Sequence, residues 1–464
     1  MNFKYRTKQL ILWAGDNIGV IIALFLSLAL RQLHWPSLNQ IAIHLPLLWI
    51  LILVWTISNY INGLYDLGRL NAADKYRRLT QASTMSLVMS VIAFYIFSSS
   101  SAATPKTVLL LTVILGYGLS ALWRQFSSNI LALVPLRTRI IIVGYDEETA
   151  EMINLLETNP SKGYNVTAVF DPNRALKSGT LSKDISVYTN LTALRAAITT
   201  HKAHMVVPAP NLSDNPDIVR ELYELLFWPV RIMEFSTFYE SITGRVPASS
   251  YSDGWFISNL VNRDHQVYDS VRRALDLVVG IIMGSVFLIL FPFIAMAIKS
   301  NSKGPVLFKQ KRMGWRSTTF TIQKFRTMYA LAADGSAEVK GPEFAKKDDQ
   351  RVTKAGKFLR QTRLDELPQF WNLLRGDISL IGPRPERPEI FAKLEAAMPY
   401  YHLRLLVKPG ITGWAAINQH YAGTIDEAIQ KLQYDLYYIK NRSFLLDMII
   451  LLRTINVVLR MMGQ

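Results

Sequence analysis

An aspartate and a glutamate stand side by side, as Asp365 and Glu366, in a strongly basic part of this 464-residue chain. A carboxylate can attack phosphorus and form an acyl phosphate, and a neighbouring carboxylate can hold Mg²⁺, which prefers oxygen ligands. Nearby lysines and arginines would bind phosphate groups and keep Asp365 ionised. They occur as Lys309, Lys311 and Arg312, as Lys324 and Arg326, as Lys354, Lys357, Arg360 and Arg363, and as Arg384 and Arg387. This combination is typical of a phosphate-transfer site.

Simpler interpretations of the same residues stay open at this point. Thr362 precedes Asp365 by three residues, which is the spacing of a helix-start signature, so Asp365 could only cap a helix. Arg384 lies between Pro383 and Pro385; it could aim a guanidinium at one phosphate or belong to a rigid turn with an exposed arginine. A basic surface beside a membrane can also simply attract anionic lipid.

Composition narrows the classes of chemistry. The formal net charge of +16 favours an acidic partner, such as nucleic acid, anionic lipid or a phosphate-bearing substrate. The chain has no cysteine, which excludes disulfides, thiol catalysis and cysteine metal sites. Its seven histidines include no His-x-x-x-His pair, which argues against a zinc site.

Four apolar segments near the N-terminus predict a transmembrane domain over residues 1–135. Each is close to the ~20 residues that an α-helix needs to cross a bilayer. Lysine and arginine are concentrated in the N-terminal tail and the second connection, so the positive-inside rule predicts that the four helices start and finish in the cytoplasm. The segments cover residues 10–30, 41–61, 82–99 and 107–133.

Residues 138–262 predict a Rossmann-like α/β domain. Short apolar stretches alternate with helical spacing, as in a parallel doubly wound sheet. Only the first glycine of a dinucleotide fingerprint is present, at Gly144, and the acidic residues 146–148 would face a pyrophosphate at the helix N-terminus. We therefore expect a scaffold or regulatory module without a nicotinamide cofactor.

The apolar segment at about 275–298 is long enough to span a bilayer, but Pro292 would break or kink its helix. Basic residues flank both ends, and a crossing would put the chain beyond residue 300 on the far side of the membrane from nucleotide substrates. We predict a re-entrant helix that enters and returns, with an ordinary fifth span as the alternative. The charges within the last apolar segment, 444–462, predict a helix on the membrane surface.

A series of sequence blocks after residue 268 resembles the catalytic domain of the bacterial sugar transferases known as monotopic phosphoglycosyl transferases. The four helices and Rossmann-like domain before it resemble the large members of that family. The blocks are Arg273-Ala-Leu-Asp276, Gly304-Pro-Val-Leu-Phe308, Lys324-Phe-Arg-Thr-Met328, Gly356-Lys-Phe-Leu-Arg360, Leu364-Asp-Glu-Leu-Pro-Gln369, Gly376-Asp-Ile-Ser379, Ile381-Gly-Pro-Arg-Pro385, Lys408-Pro-Gly-Ile-Thr-Gly-Trp414 and Tyr434-Asp-Leu-Tyr-Tyr-Ile-Lys440.

The resemblance implies a mechanism and site residues. Asp365 matches the family's nucleophile on the sugar-bearing phosphate of a UDP-sugar; UMP leaves, and undecaprenyl phosphate then attacks the phosphosugar-enzyme intermediate. Glu366 matches the residue that binds Mg²⁺. Positions associated with phosphate and nucleotide binding match or neighbour Lys324, Arg326, Arg360 and Arg384. One departure is that the family's usual Gly-Trp-Ala-Gln is Gly413-Trp-Ala-Ala416 here, which puts a polar contact from that loop in doubt.

The resulting expectation is an α/β membrane protein of the bacterial inner membrane. It comprises a four-helix transmembrane bundle (1–135), a Rossmann-like α/β domain (138–262) and a re-entrant helix with a mainly α cytoplasmic catalytic domain (268–464). Its implied partners are a UDP-sugar, undecaprenyl phosphate and membrane lipid, with no nucleic acid and with a homodimer as the candidate assembly. Glucose and galactose both fit as the sugar, and an N-acetylated sugar stays open. The reaction would initiate exopolysaccharide, capsule or O-antigen synthesis.

Two other functions are the alternatives to a sugar transferase. A nucleotide-sugar dehydratase or epimerase needs a full glycine fingerprint and a Tyr-x-x-x-Lys pair for proton transfer; no tyrosine of this chain has lysine four residues on. A non-catalytic, membrane-anchored nucleotide-sensing protein would show no turnover. The intact pair of Asp365 and Glu366 among phosphate-binding cations argues against that alternative.

Overall fold

The computed structural model divides the chain into two compact units, Met1–Ile242 and Thr243–Gln464. It describes residues 3–65, 72–97, 106–133, 137–159, 162–175, 181–182, 184–210, 216–260, 266–330, 349–419 and 424–459.

Four long helices open the first unit, and the predicted apolar segments fall on them, except for residues 98–99, which lie outside the described residues. An ion pair between Asp16 and Arg124, both almost fully buried, joins the first helix to the fourth. Arg124 also donates to the carbonyl of Leu64, after the second helix, at 2.9 Å. The helices are α1 (Phe3–Gln32), α2 (Leu38–Ile61), α3 (Ala72–Phe97) and α4 (Lys106–Leu133).

Three of the described helices are long and apolar enough to cross a membrane. They include segments Gln9–Gln32 of α1 and Thr107–Ser127 of α4, and the third is Gln266–Asn301 in the second unit. α2 contributes a shorter apolar stretch, Leu48–Ile61. Within the described residues α3 is not among these helices, and its buried side chains include three small polar ones. Those residues are Ser83, Ser86 and Ser90.

The rest of the first unit is a parallel α/β domain, as predicted from the alternation of strand and helix. Its five strands follow the order β3-β2-β1-β4-β5. Ile140 and Ile142 of β1 enter one apolar core, and Ile141 and Val143 enter another on the opposite face, so the sheet is covered on both sides. The elements are β1 (Thr138–Val143), α5 (Glu147–Thr158), β2 (Tyr164–Phe170), β3 (Ser186–Tyr188), α6 (Leu194–Thr200), β4 (Met205–Pro208), α7 (Pro216–Glu224), β5 (Arg231–Ile232) and α8 (Phe235–Thr243).

The second unit is mainly helical, with an antiparallel pair (β6 and β7) and a short parallel pair (β8 and β9). The β-strands are β6 (Leu307–Met313), β7 (Thr319–Phe325), β8 (Ser379–Ile381) and β9 (Gly410–Thr412). The helices are α9 (Asp253–Leu260), α10 (Gln266–Asn301), α11 (Lys354–Gln361), α12 (Phe370–Arg375), α13 (Pro388–Ala397), α14 (Trp414–Asn418), α15 (Ile425–Lys440) and α16 (Phe444–Leu459).

This unit begins before the predicted domain boundary at residue 262. Val246 and Phe256 are buried in an apolar core with residues of α13 and α15. The indole N–H of Trp414 donates to the carbonyl of Gly244 at 2.8 Å. Residues 243–260 therefore pack with the second unit, whereas the sequence analysis placed them in the Rossmann-like domain.

Helix α10 carries two different faces along its length and does not end at Pro292. One face packs on the second unit through Asp276, Gly280, Gly284, Ile294 and Ile298. A Cβ at Gly280 would lie 2.8 Å from a Leu374 methyl, and one at Gly284 would lie 3.0 Å from the Phe370 ring, so these glycines let α12 approach. The exposed apolar side chains of the helix are Val267, Val271, Leu275, Leu277, Val278, Ile281, Ile282, Val286, Leu288, Ile289, Phe293 and Met296.

Helix α16 has its polar and apolar sides arranged differently from the amphipathic surface helix that the sequence suggests. Asp447 is buried and accepts hydrogen bonds from the hydroxyls of Tyr268 (2.7 Å) and Tyr438 (2.9 Å). The exposed side chains include Phe444 and Leu445. The sequence showed that α16 contains charged residues. It did not show that Asp447 points inward, because its partners Tyr268 and Tyr438 lie outside this helix.

A close backbone approach at Gly356 gives a test of the fold. A Cβ at this position of α11 would lie 2.0 Å from the carbonyl oxygen of Thr327, so Gly356→Ala must displace the helix. We expect it to lower the free energy of unfolding by about 1–3 kcal/mol or more, measured by thermal unfolding of the full chain in detergent. Gly254→Ala, in α9 with no atom within 4 Å of the added carbon, is the matched control. Equal unfolding midpoints for the two variants would contradict the close approach.

Candidate active site

A reversal of the backbone places the acidic pair. Helix α11 ends at Gln361, and Arg363 then adopts a left-handed conformation with φ 59° and ψ 14°, which costs a non-glycine residue about 1–3 kcal/mol. A short 3₁₀ helix, Leu364–Gln369, follows at once. Both Asp365 and Glu366 lie in its first turn and are buried, with 8% and 7% of their surface exposed.

Asp365 does not cap a helix. The Thr362 hydroxyl donates to the carbonyl of Phe358 at 2.8 Å. Thr362 is therefore the C-terminal cap of α11 and not the N-terminal cap of the next helix. Within the described part of the chain, the buried Oδ1 atom of Asp365 has no hydrogen-bond partner. The capping interpretation therefore fails, and an acceptor atom stays available in a buried position.

Glu366 collects the positive charge of the site. Its Oε1 atom accepts a hydrogen bond from Lys324 Nζ at 2.8 Å and from Arg384 Nη2 at 3.1 Å. Arg363 Nη1 lies 3.8 Å from the same oxygen. Strand β7, the Gly382–Pro385 turn and the left-handed residue after α11 thus converge on one carboxylate oxygen.

The two carboxyl groups have opposite pKa shifts. Burial alone would raise the pKa of Glu366, but Lys324, Arg384 and Arg363 outweigh it and hold the pKa well below its usual range. Burial, followed by the negative charge of Glu366, raises the pKa of Asp365. Lys324, Arg363 and Arg360 lower the pKa of Asp365, but burial and Glu366 outweigh them.

Three successive carbonyl groups hold the turn that carries Arg384. The Arg384 carbonyl accepts from Arg404 at 3.1 Å, and the Pro385 carbonyl accepts from Arg312 at 3.0 Å. The Glu386 carbonyl accepts from the backbone N–H of Met313 at 2.8 Å. These bonds hold the backbone of the turn, while the side chain of Arg384 stays 43% exposed.

Behind this turn lies a buried ion network that sequence reasoning missed. Arg404, 2% exposed, binds Asp435 Oδ2 at 2.7 Å and lies 3.5 Å from Glu386 Oε1. Lys431 Nζ also bonds Glu386, at 2.5 Å. Burial would raise the pKa of Glu386, but Lys431 and Arg404 lower it to about 2. Asp435 lies within the family-like stretch Tyr434–Lys440, which was a signal for it, whereas Arg404 lies outside every such stretch.

A small cavity, partly open to solvent, lies beside Glu366. Both cationic and apolar groups line it, a combination that suits a ligand with a phosphate and a less polar portion. Its lining consists of Arg312, Ile322, Lys324, Glu366, Gln369, Arg384, Pro385, Gly410 and Ile411. Arg312 was named only as one of the nearby cations, and Gln369 only as the end of the Leu364–Gln369 block; neither was assigned to the site.

Of the predicted phosphate-binding residues, Lys324 and Arg384 meet in this cavity and the other two do not line it. Arg360 donates to the Thr327 hydroxyl at 2.9 Å and lowers the pKa of Asp365 through its charge. Arg326 is buried and donates to the carbonyls of Ser302 and Lys303, just after the end of α10. Arg326 therefore binds the segment that follows α10 and is not part of the cavity lining.

The acidic pair fits a magnesium ion only in part. The described residues contain no group of three or more histidine, cysteine or acidic side chains that could hold a metal. Mg²⁺ commonly takes one or two carboxylates and completes its shell with water and substrate phosphates. The unpartnered oxygen of Asp365 and the carboxylate of Glu366 suit an ion held jointly with a phosphate-bearing substrate.

Comparison with known proteins identifies both parts of the chain. The profile of the family described as bacterial sugar transferase matches residues 267–461, and that of a CoA-binding domain matches residues 60–234. The chain is 30% identical over 337 residues to a UDP-glucose:undecaprenyl-phosphate glucose-1-phosphate transferase of Xanthomonas campestris pv. campestris, covering 70% of this chain and 67% of the relative. The chain belongs to the bacterial sugar transferase family.

Other members of the family share shorter stretches with this sugar transferase. It is 39% identical over 224 residues to a UDP-N-acetylgalactosamine-undecaprenyl-phosphate N-acetylgalactosaminephosphotransferase of Aeromonas hydrophila, covering 48% of this chain and 51% of the relative. It is 37% identical over 194 residues to the exopolysaccharide production protein PSS of Rhizobium leguminosarum bv. phaseoli, covering 40% and 93%. The aligned part spans 42–59% of the length of the first relatives matched.

The buried network predicts a large effect at Arg404. We expect Arg404→Met to lower the free energy of unfolding by about 3–5 kcal/mol, because Asp435 would remain buried without its cation. Thermal unfolding of the full chain measures the effect. Arg404→Lys keeps the charge and should lose less, and Lys393→Met, at an exposed position of α13, should lose almost nothing. An Arg404→Met protein as stable as the Lys393→Met protein would show that the network does not hold the turn.

Proposed function

We propose that this sugar transferase moves a hexose-1-phosphate from a UDP-sugar to undecaprenyl phosphate and releases UMP. The observation that carries the proposal is the buried pair of Asp365 and Glu366, with Lys324 and Arg384 converging on it. The names of the relatives support the reaction class, since they act on undecaprenyl phosphate with sugar phosphates. The relative named as an exopolysaccharide production protein supports a role at the start of such a polysaccharide.

In the first step, a carboxylate oxygen of Asp365 attacks the sugar-bearing phosphorus of the UDP-sugar. A new P–O bond forms to Asp365, and the bond to the UMP oxygen breaks with its electron pair staying on UMP. Lys324 and Arg384 lie where they can stabilise the negative charge on the phosphates. Magnesium, when bound, would add charge neutralisation on the diphosphate. Burial raises the pKa of Asp365, and Lys324, Arg363 and Arg360 oppose that rise, which favours the attacking carboxylate form.

In the second step, a phosphate oxygen of undecaprenyl phosphate attacks the same phosphorus. The acyl phosphate bond breaks, the carboxylate of Asp365 is regenerated, and the product carries the sugar on a lipid diphosphate. A covalent intermediate lets the two substrates react one after the other. The low exposure of Asp365 limits competing attack by water.

We also propose that both ends of α10 lie on the cytoplasmic side of the inner membrane. With 36 residues, the helix is about 54 Å long, more than the ~30 Å of a bilayer core. The second unit packs along it from Arg273, which donates to the carbonyls of Leu373 and Leu374, to Ile298 beside Leu359. An upright crossing would draw this polar, charged unit into hydrocarbon, which is costly. The exposed apolar face supports insertion from one side.

Replacing the nucleophile tests the mechanism. We expect Asp365→Asn to lower UMP release by roughly 10⁴-fold or more, because the amide cannot form the intermediate. UMP release is measured with several UDP-sugars, undecaprenyl phosphate and Mg²⁺. With lipid withheld, wild type should retain radiolabelled sugar phosphate and Asp365→Asn should not. Glu389→Gln, at an exposed carboxylate, is the control. An Asp365→Asn enzyme that turns over like wild type would refute the nucleophile assignment.

The absence of cysteine makes the topology directly testable. Ser270→Cys and Ser300→Cys place single exposed thiols near the two ends of α10. We expect a membrane-impermeant maleimide to label both in inside-out vesicles and neither in right-side-out vesicles. Ser37→Cys, between α1 and α2, should show the opposite pattern. Labelling of Ser270→Cys and Ser300→Cys from opposite sides would establish an ordinary span.

A further inference from the structure

Glu366 holds the two cations that the diphosphate of a UDP-sugar would also need. Lys324 and Arg384 both bond its Oε1 atom, and both line the cavity beside it. A side chain that neutralises a buried carboxylate is not equally available to a phosphate. Binding of the substrate therefore has to compete with this internal ion pairing.

The three side chains differ in their freedom to move. The Glu366 side chain is 9% exposed, that of Lys324 is 20% exposed and that of Arg384 is 43% exposed. The carboxylate sits on a short 3₁₀ helix, whereas the two cations end long side chains at the cavity. An exchange of partners thus requires the cations to rotate while the carboxylate stays in place.

Charge balance decides what must replace the cations. Withdrawing Lys324 and Arg384 from Glu366 would leave a buried carboxylate with only Arg363, 3.8 Å away, and without its two hydrogen bonds, which is unfavourable. Mg²⁺ prefers oxygen ligands and can take that carboxylate. Its two positive charges balance the two negative charges of the diphosphate diester in a UDP-sugar, so the pair adds no net charge to the site. Either one alone would change the site's charge by two.

We propose that Glu366 keeps Lys324 and Arg384 in reserve in the substrate-free site, and that they exchange the carboxylate for the nucleotide diphosphate when Mg²⁺ takes Glu366. The inference rests on the proposed function and adds a rule for how its ligands bind. Metal and nucleotide bind with positive coupling, which is reciprocal. The site discriminates against a metal-free nucleotide because its cations are then occupied.

The test compares wild type with two variants. For each full-length protein in detergent, isothermal titration measures the affinity for UDP in EDTA, that is, without metal. Glu366→Gln weakens the hold on both cations, so we expect it to bind UDP 5- to 150-fold more tightly than wild type, the usual range of such coupling. Asp365→Asn is the matched control: it removes a negative charge one residue away that neither cation bonds. It should gain much less affinity than Glu366→Gln.

Further variants separate this effect from general electrostatics and from misfolding. Lys324→Met added to Glu366→Gln should remove most of the gained affinity, because one released cation is gone. Thermal unfolding verifies that each variant is folded. A Glu366→Gln protein that binds metal-free UDP no more tightly than wild type or Asp365→Asn would overturn the proposal. If wild type fails to bind UDP even with Mg²⁺, the proposed function fails together with it.

Discussion

The hydrogen bonds from Lys324 and Arg384 to one oxygen of Glu366 are the interaction on which the site depends. They join strand β7 to the Gly382–Pro385 turn across the cavity. They also give two adjacent carboxyl groups different pKa values. The cations lower the pKa of Glu366, whereas burial raises the pKa of Asp365. Neighbouring carboxyl groups with opposite shifts can take different roles, and here the difference arises from which of them the cations contact.

The network of Arg404, Asp435, Glu386 and Lys431 explains how a flexible arginine can be presented accurately. Buried ion pairs often contribute little net stability, because desolvation offsets their attraction. Their value here is positional. Arg404 uses one N–H on the Arg384 carbonyl and others on buried carboxylates, so the turn can move only if buried charges separate. The remaining freedom belongs to the Arg384 side chain, which needs it to reach either a carboxylate or a phosphate.

Sequence reasoning located what depends on local pattern. The apolar segments, the alternation of strand and helix, and the acidic pair among cations can each be seen within a short stretch of sequence. The family profile confirms the resemblance. The hydrogen-bond partner of each charged side chain was harder to predict from the sequence. Arg326 and Arg384 look equivalent in the sequence, yet Arg326 donates to carbonyls after α10 and Arg384 reaches Glu366. The roles of Arg404 and of residues 243–260 depend on contacts between distant positions, which a single sequence does not encode in its local pattern.

Strand β7 links the chemistry to the membrane. Successive side chains of a strand point to opposite faces, so Lys324 faces Glu366 while Phe325 packs on Phe287 of α10, with ring centroids 5.6 Å apart. Phe325 is almost fully buried in the core that α10 shares with Leu359 of α11. The helix that presents an apolar face outward therefore also fixes the strand that supplies a phosphate-binding cation. A displacement of α10 would therefore reach the residue next to Lys324, which suits the lipid phosphate acceptor proposed above.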